Sequence, residues 1–307
     1  MTRVAAVDCG TNSIRLLVAD VDPVAGTQVD LDRRMEVVRL GQGVDRTGRL
    51  APDALARTLA ALAAYAHRAA DLGVERTRMV ATSATRDASN REVFVRGVVD
   101  VLGVPPEVVT GDEEARLSFT GATRGLPADV AGPHLVVDIG GGSTELVLGD
   151  AAGVRAAISV DVGCVRLTER HLHSDPPTGE QVAAARSDVD AALDRAAAVV
   201  PLGEARSLVG LAGSVTTVAG IALDLPAYDP ERIHHSRLSS ADVHRVARDL
   251  LASAHATRAE VPVMHPGRVD VIGAGALVLA RIVDRVGLPE VVVSEHDILD
   301  GIAWSLV

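Results

Sequence analysis

The chain has no lysine: all 30 basic residues among its 307 are arginine. That absence excludes a Walker-A loop, which needs Lys on the phosphates. It also excludes Schiff-base chemistry and the protein-kinase strand Lys. Only five residues are aromatic, Tyr65, Phe94, Phe119, Tyr228 and Trp304, so the core is built from Ala, Val, Leu and Ile. Two cysteines, Cys9 and Cys164, are too few for a disulfide framework and form no CxxC pair. No apolar run approaches the roughly 20 residues that span a bilayer, and the N-terminus does not read as a secretory signal. No arginine cluster stands out, and the net charge is −11. A wrap around duplex nucleic acid is therefore excluded. An acidic chain that binds a polyanion must focus positive potential locally. These features describe a soluble, cytoplasmic protein with 48% hydrophobic and 23% charged residues.

Apolar runs and turn signals mark the elements. Val4 to Val7 reads as a buried strand, followed by the polar turn Asp8 to Ser13 and a second strand from Ile14 to Val18. A third strand is expected at Glu36 to Leu40. Pro52 to Leu72 is a helix, with Pro inside its start and Gly73 at its end. A strand at Arg78 to Thr82 leads into Ser83 to Asp87. A helix at Arg91 to Leu102 and a short strand at Val108 to Thr110 precede a helix opening at Gly111 and running to about Arg124. The opening pattern then recurs: strand Leu135 to Val137, turn Asp138 to Glu145, strand Leu146 to Leu148. Strand, Asp-x-Gly, small polar residues and strand thus occur twice, 130 residues apart, which argues for two duplicated lobes. A third glycine turn, Gly210 to Ser214, opens a helix near Thr216. Long helices are expected at Thr178 to Val199 and Arg268 to Val286. A strand at Val291 to Val293 and a helix at Asp297 to Leu306 close the chain. The mixture is α/β.

Three constellations carry chemistry. A tight glycine turn exposes backbone N–H groups as an anion site, and Thr11, Ser13, Ser143 and Thr144 add small donors. Asp8 and Asp138 end the preceding strands. A carboxylate beside phosphate calls for a cation between them, and Mg²⁺ takes one or two carboxylates plus phosphate oxygens and water. Glu113 and Glu114 open a helix, where acidic residues also suit the helix dipole; one of them would serve as general base on a water. Arg86 follows a strand end, where open α/β sheets place ligands, and Arg suits bidentate phosphate recognition. Arg15, Arg166 and Arg268 are weaker candidates of the same kind. The histidine spacings, His171/His173 and His234/His235, do not place two metal ligands on one helix face. Cys9 reads as a small buried thiol.

The segments DCGTNSIRLL (Asp8 to Leu17), TSATRDASN (Thr82 to Asn90), GDEEARL (Gly111 to Leu117) and VVDIGGGSTELVLG (Val136 to Gly149) occur in that order. With GCVRLTE, GLAGSVTT, HPGRVDVIGAG and SEHDILDGI further on, the chain resembles the exopolyphosphatase / guanosine pentaphosphate phosphohydrolase (Ppx/GppA) family, in its short actinobacterial form. The resemblance implies a two-lobed actin-like ATPase fold, shared by sugar kinases and Hsp70, with ribonuclease-H-like lobes and an interlobe cleft. It puts residues 1–118 and 294–307 in the N-terminal lobe and 119–293 in the C-terminal lobe. It implies Mg²⁺-dependent removal of the terminal phosphate of inorganic polyphosphate, or of the 5′ γ-phosphate of guanosine pentaphosphate. The family's general base falls on Glu114 and its TSATR arginine on Arg86. Its metal ligands fall on Asp138 and Glu145, with Asp8 added. Its phosphate-binding residues fall on Thr11, Asn12, Ser13 and Arg15, on Gly140, Gly141, Gly142, Ser143 and Thr144, and on Gly213 and Ser214. Longer members carry a C-terminal HD-type region; this sequence ends before one, which bears on processivity. Cys9 replaces a usual apolar residue, and Ser214 a usual Thr.

The expected activity is an exopolyphosphatase. Guanosine pentaphosphate hydrolysis is the alternative within the same mechanism. A kinase or ATPase of the same fold and a non-catalytic alarmone-binding sensor are the readings from other classes. The expected partners are polyphosphate or guanosine pentaphosphate and a second copy of the chain, with neither nucleic acid nor membrane.

Overall fold

A computed structural model describes residues 1–307. The chain forms two compact units, Met1–Gly121 with Ile298–Val307, and Ala122–Asp297.

The first unit is built on a five-stranded sheet of β1 (Thr2–Cys9), β2 (Ser13–Asp22), β3 (Thr27–Val37), β4 (Arg76–Ala81) and β5 (Glu107–Val108), in the order β3-β2-β1-β4-β5. β1, β2 and β3 pair antiparallel, whereas β4 and β5 extend the sheet parallel to β1. Alternation along β1 feeds two cores. Ala5 and Val7 pack with Ile14, Leu16, Leu62, Tyr65, Phe94 and Val98 on one face. Val4 and Ala6 pack with Leu17, Ala19, Leu117, Leu299 and Ile302 on the other. The last helix, Ile298–Trp304, therefore closes the second face of the first sheet. Tyr65 is buried, and its hydroxyl donates to the Ile14 carbonyl at 3.2 Å.

The second unit repeats the plan with β6 (His134–Ile139), β7 (Thr144–Asp150), β8 (Gly153–Val160), β9 (Ser207–Leu211), β10 (Arg237–Ser239) and β11 (Glu290–Val293). Its order is β10-β11-β9-β6-β7-β8. Read from β8, the series β8-β7-β6-β9-β11 reproduces the first sheet in order and direction, and β10 is an added antiparallel edge. Three antiparallel strands followed by two parallel ones is the ribonuclease-H-like arrangement, and its duplication is the actin-like ATPase fold.

Several boundaries differ from the sequence reading. The third strand is Thr27–Val37, not Glu36 to Leu40. It is an exposed edge strand rich in Asp and Arg, so no apolar run marks it. The helix after β9 starts at Ala212 rather than near Thr216. The helix expected from Arg268 starts at Ile272, after a separate 3₁₀ turn over Pro266–Arg268. β8 and β10 carry no signal strong enough to be read from sequence. No helix is long and apolar enough to cross a membrane.

One contact sets how the last helix seats. A Cβ on Gly301 would lie 2.0 Å from the Leu117 carbonyl oxygen, a backbone atom that cannot swing aside. The helices Gly111–Thr123 and Ile298–Trp304 touch through this glycine. Gly301→Ala is therefore expected to destabilise the protein by about 1–3 kcal/mol through overpacking, despite the better helix propensity of Ala. Equilibrium urea unfolding checks this; an unchanged midpoint would refute the contact.

Candidate active site

The candidate residues cluster where parallel strands end, the position at which α/β sheets present ligands. In the first unit these are the turn after β1, the segment Thr82–Arg86 after β4, and the helix start Gly111–Glu114 after β5. In the second they are the turn after β6 and the helix start after β9.

The two turns share one design. The Gly10 amide donates to the Ser13 carbonyl at 2.9 Å, and the Gly140 amide to the Ser143 carbonyl at 3.0 Å. Their remaining carbonyls are taken up from behind. Gly41 N–H donates to Thr11 O at 2.8 Å, and the amides of Val38 and Arg39 converge on Asn12 O at 3.1 and 2.8 Å. This convergence holds Arg39 at φ 52, a left-handed conformation unusual for arginine. In the second turn, Cys164 N–H donates to Gly140 O at 3.0 Å. Val165 and Arg166 amides donate to Gly141 O at 2.9 and 3.1 Å. Arg166 Nε donates to Gly142 O at 2.7 Å. With the carbonyls bound inward, the amides of Thr11, Asn12, Gly141 and Gly142 are left for an anion.

Close approach of the backing segment requires glycine in both units. A Cβ on Gly41 would lie 2.3 Å from Thr11 Cγ2, and one on Gly163 2.5 Å from the Gly141 carbonyl group. Sequence reading missed both residues as parts of the site. Their only sequence signal is that each follows its turn within about 30 residues.

The hydroxyl candidates divide. Thr11 Oγ1 lies 2.8 Å from Ser83 Oγ, so the first turn is tied to the segment after β4. Asn12 keeps its Oδ1 buried without a donor. Ser13 is partly exposed and Ser143 buried. Thr144, expected to bind phosphate, is fully buried, and its hydroxyl donates to the Val162 carbonyl at 2.6 Å. It supports the turn from inside.

Glu114 and Arg86 come together. Arg86 Nη1 donates to Glu114 Oε2 at 2.6 Å and to the Val109 carbonyl at 3.1 Å. Glu114 is buried at 7% exposure, whereas Glu113 is half-buried and receives Arg78 at 3.3 Å. Burial thus separates two adjacent carboxylates that look alike in sequence. Arg86 uses one guanidinium nitrogen on the protein, and its Nε and Nη2 donors remain for phosphate oxygens.

Asp138 and Glu145 face each other in register across β6 and β7. Both are buried, and Glu145 Oε1 accepts the Ser159 hydroxyl at 2.6 Å. Directly opposed residues project to one face of a sheet. Two hard carboxylates on one face suit Mg²⁺, which needs few protein ligands. No group of three or more His, Cys, Asp or Glu could hold an ion, so an ion held by these two carboxylates would take its other ligands from phosphate and water. Asp8, expected with these ligands, is instead bridged by Arg15 at 2.7 Å. Arg15 donates to Asp8 Oδ2 from Nε and Nη2, so its expected phosphate contact would share a guanidinium already committed to Asp8.

Gly213 and Ser214 sit in the first turn of the helix Ala212–Ala222, after Ala212 at φ 68. Arg268 lies directly over Gly213: a Cβ there would be 2.1 Å from the guanidinium carbon. Arg268 Nη1 donates to Gly213 O at 3.2 Å. A second arginine fixes that placement. Buried Arg258 donates from Nε to the Val269 carbonyl at 2.9 Å and contacts the Ser253 carbonyl and Asp175. It holds the chain immediately after Arg268. The two cysteines are buried, and desolvation raises both thiols above their ordinary range.

Residues 17–307 match the Ppx/GppA phosphatase family. The chain belongs to that family. It is 52% identical to exopolyphosphatase 2 of Mycobacterium tuberculosis, covering 100% of this chain and 99% of the relative. Among solved structures it resembles an exopolyphosphatase-like protein at a TM-score of 0.95 and 43% identity, covering 99% of this chain and 98% of that one. It also resembles the Aquifex aeolicus Ppx/GppA enzyme at 0.82 and 30%, covering 99% of each chain.

The backing glycine gives a direct test of the turn. Gly163→Ala should push Gly141 and Gly142 out of place and lower kcat/KM by about 10²-fold, the cost of an ångström-scale misplacement. Steady-state phosphate release on the folded variant measures it. Unchanged kinetics would show that the turn does not hold substrate.

Proposed function

We propose that the protein is an exopolyphosphatase that hydrolyses the terminal phosphoanhydride of inorganic polyphosphate with Mg²⁺, using Glu114 as general base. The observation that carries this reading is the buried Glu114 carboxylate, fixed by Arg86 at 2.6 Å at the end of β5. Family membership and the 52% identical exopolyphosphatase support the substrate class.

Phosphoryl transfer asks little covalent chemistry of a protein; it needs a positioned nucleophile, clamps on the phosphates and compensation of charge. Glu114 accepts the proton of the attacking water. Arg86 orients Glu114 with one nitrogen and binds phosphate oxygens with the others. The amides of the two turns hold phosphate without adding side-chain charge. Asp138 and Glu145 would hold Mg²⁺, which when bound neutralises charge on the phosphoryl group. Proton transfer to Glu114 completes water's attack on the terminal phosphorus, and the shortened polyphosphate leaves with the bridging oxygen.

Guanosine pentaphosphate is the second substrate carried by the family, since the same parts would cleave its 5′ γ-phosphate. The buried base argues against a silent sensor, because a binding module has no use for a desolvated carboxylate opposed to an incoming anion. A homodimer in the cytoplasm is part of the proposal and is checked by light scattering and fractionation.

Phosphate release from short polyphosphate, long polyphosphate, guanosine pentaphosphate and ATP, assayed in parallel with Mg²⁺, separates these readings. Glu114→Gln should lower kcat by about 10²–10⁴-fold with KM nearly unchanged. Arg86→Met should lower kcat and raise KM together, because it removes both the orientation of Glu114 and a phosphate contact. Near-wild-type turnover by Glu114→Gln would exclude it as the base. Release from guanosine pentaphosphate alone would replace the polyphosphate reading.

A further inference from the structure

Among the differences between the duplicated turns, one changes the charge: Arg15 stands where the second unit has Glu145. Asp8 faces Arg15 across β1 and β2, and Asp138 faces Glu145 across β6 and β7. The turns between them have equal length and share Gly10 with Gly140 and Ser13 with Ser143, with the same Gly-to-Ser backbone bond at 2.9 and 3.0 Å. Equivalent backbone positions therefore hold a carboxylate with a guanidinium in one unit and two carboxylates in the other.

We infer that Arg15 is the first unit's permanent substitute for the divalent cation of the second, so that the chain binds one such ion, at Asp138 and Glu145, with Asp8 outside its ligand set. This rests on the metal reading proposed above. Arg15 reaches Asp8 Oδ2 with Nη2 at 2.7 Å and with Nε at 3.0 Å. The pair is shielded, with side-chain exposures of 18% for Arg15 and 5% for Asp8. A guanidinium stays charged at every working pH. Displacing it from a buried carboxylate would strand a charge on each side. An ion arriving at Asp8 would either do that or sit beside the guanidinium charge, and would gain one carboxylate. An ion arriving at Asp138 and Glu145 gains two. The first turn thus keeps a positive neighbour at any metal concentration, whereas the second acquires one only when the ion binds.

Manganese binding to the full chain without substrate tests this, with free Mn²⁺ counted by electron paramagnetic resonance. Wild type is expected to bind one ion per chain. Asp8→Asn should leave the number unchanged and the affinity within about twofold, while Asp138→Asn and Glu145→Gln should weaken it by at least about 10-fold, the lower end of the range for lost metal-site partners. Arg15→Glu recreates the second unit's pair in the first and should bind two ions. Two ions on wild type would overturn the inference while leaving Asp138 and Glu145 as ligands. So would a loss of affinity in Asp8→Asn as large as in Asp138→Asn, which needs no refolded charge-reversal variant. A single ion on folded Arg15→Glu would also overturn it. No ion on wild type would overturn the metal reading and this inference with it.

Discussion

In each unit the anion site depends on which way the carbonyls of one short turn point. A chain without lysine cannot meet a polyanion with ammonium groups, so backbone amides must do much of the work. Amides serve an anion only when the carbonyls between them are removed from it. Here that removal is done by protein donors. Val38, Arg39 and Gly41 bind the first turn's carbonyls, and Cys164, Val165 and Arg166 bind the second's. The backing segments are therefore as much a part of the anion site as the turns. A residue with a side chain at Gly41 or Gly163 would hold the backing segment away and release the carbonyls.

The same economy governs the charges. The protein carries a net charge of −11 and needs positive potential only at strand ends. Arginines supply it, and each is tethered: Arg15 to Asp8, Arg86 to Glu114 and the Val109 carbonyl, Arg268 to the Gly213 carbonyl. A buried ion pair contributes little net stability, because desolvation offsets most of its Coulomb energy. Its effect is geometric. A tethered guanidinium loses less rotamer entropy when phosphate arrives than a free one would.

Much of this was legible in the sequence because the local chemistry repeats. Asp8 to Arg15 and Asp138 to Glu145 declare two equivalent hairpins, and the unbroken apolar run Val4 to Val7 declares a buried strand. The features that were not legible depend on contacts between distant segments. Glu113 and Glu114 are indistinguishable until helix orientation buries one of them. Arg15 reads as a phosphate ligand until strand register sets it opposite Asp8. β3 escapes detection because its exposed edge is polar: Asp30, Asp32, Arg33 and Arg34 occupy positions where an apolar run would have marked it. The helix at Ala212 begins earlier than expected because a non-glycine residue at φ 68 makes its entry, and nothing in the composition of that turn announces it.

Arg258 shows how far the supporting structure extends from the substrate. It is buried, though arginine is rarely so, and its contacts are two backbone carbonyls and Asp175. A hydrophobic residue of similar volume would leave the Val269 and Ser253 carbonyls without these donors, a cost of about 1–3 kcal/mol for each buried acceptor. What the arginine adds is a fixed position for Val269, and hence for the neighbouring Arg268 over Gly213. Gly41 and Gly163 do the same for the turns by having no side chain at all. Large and small residues thus serve one requirement: the backbone at the strand ends must stand in one place before the phosphates arrive, because a site made of amides cannot adjust itself as a flexible lysine would.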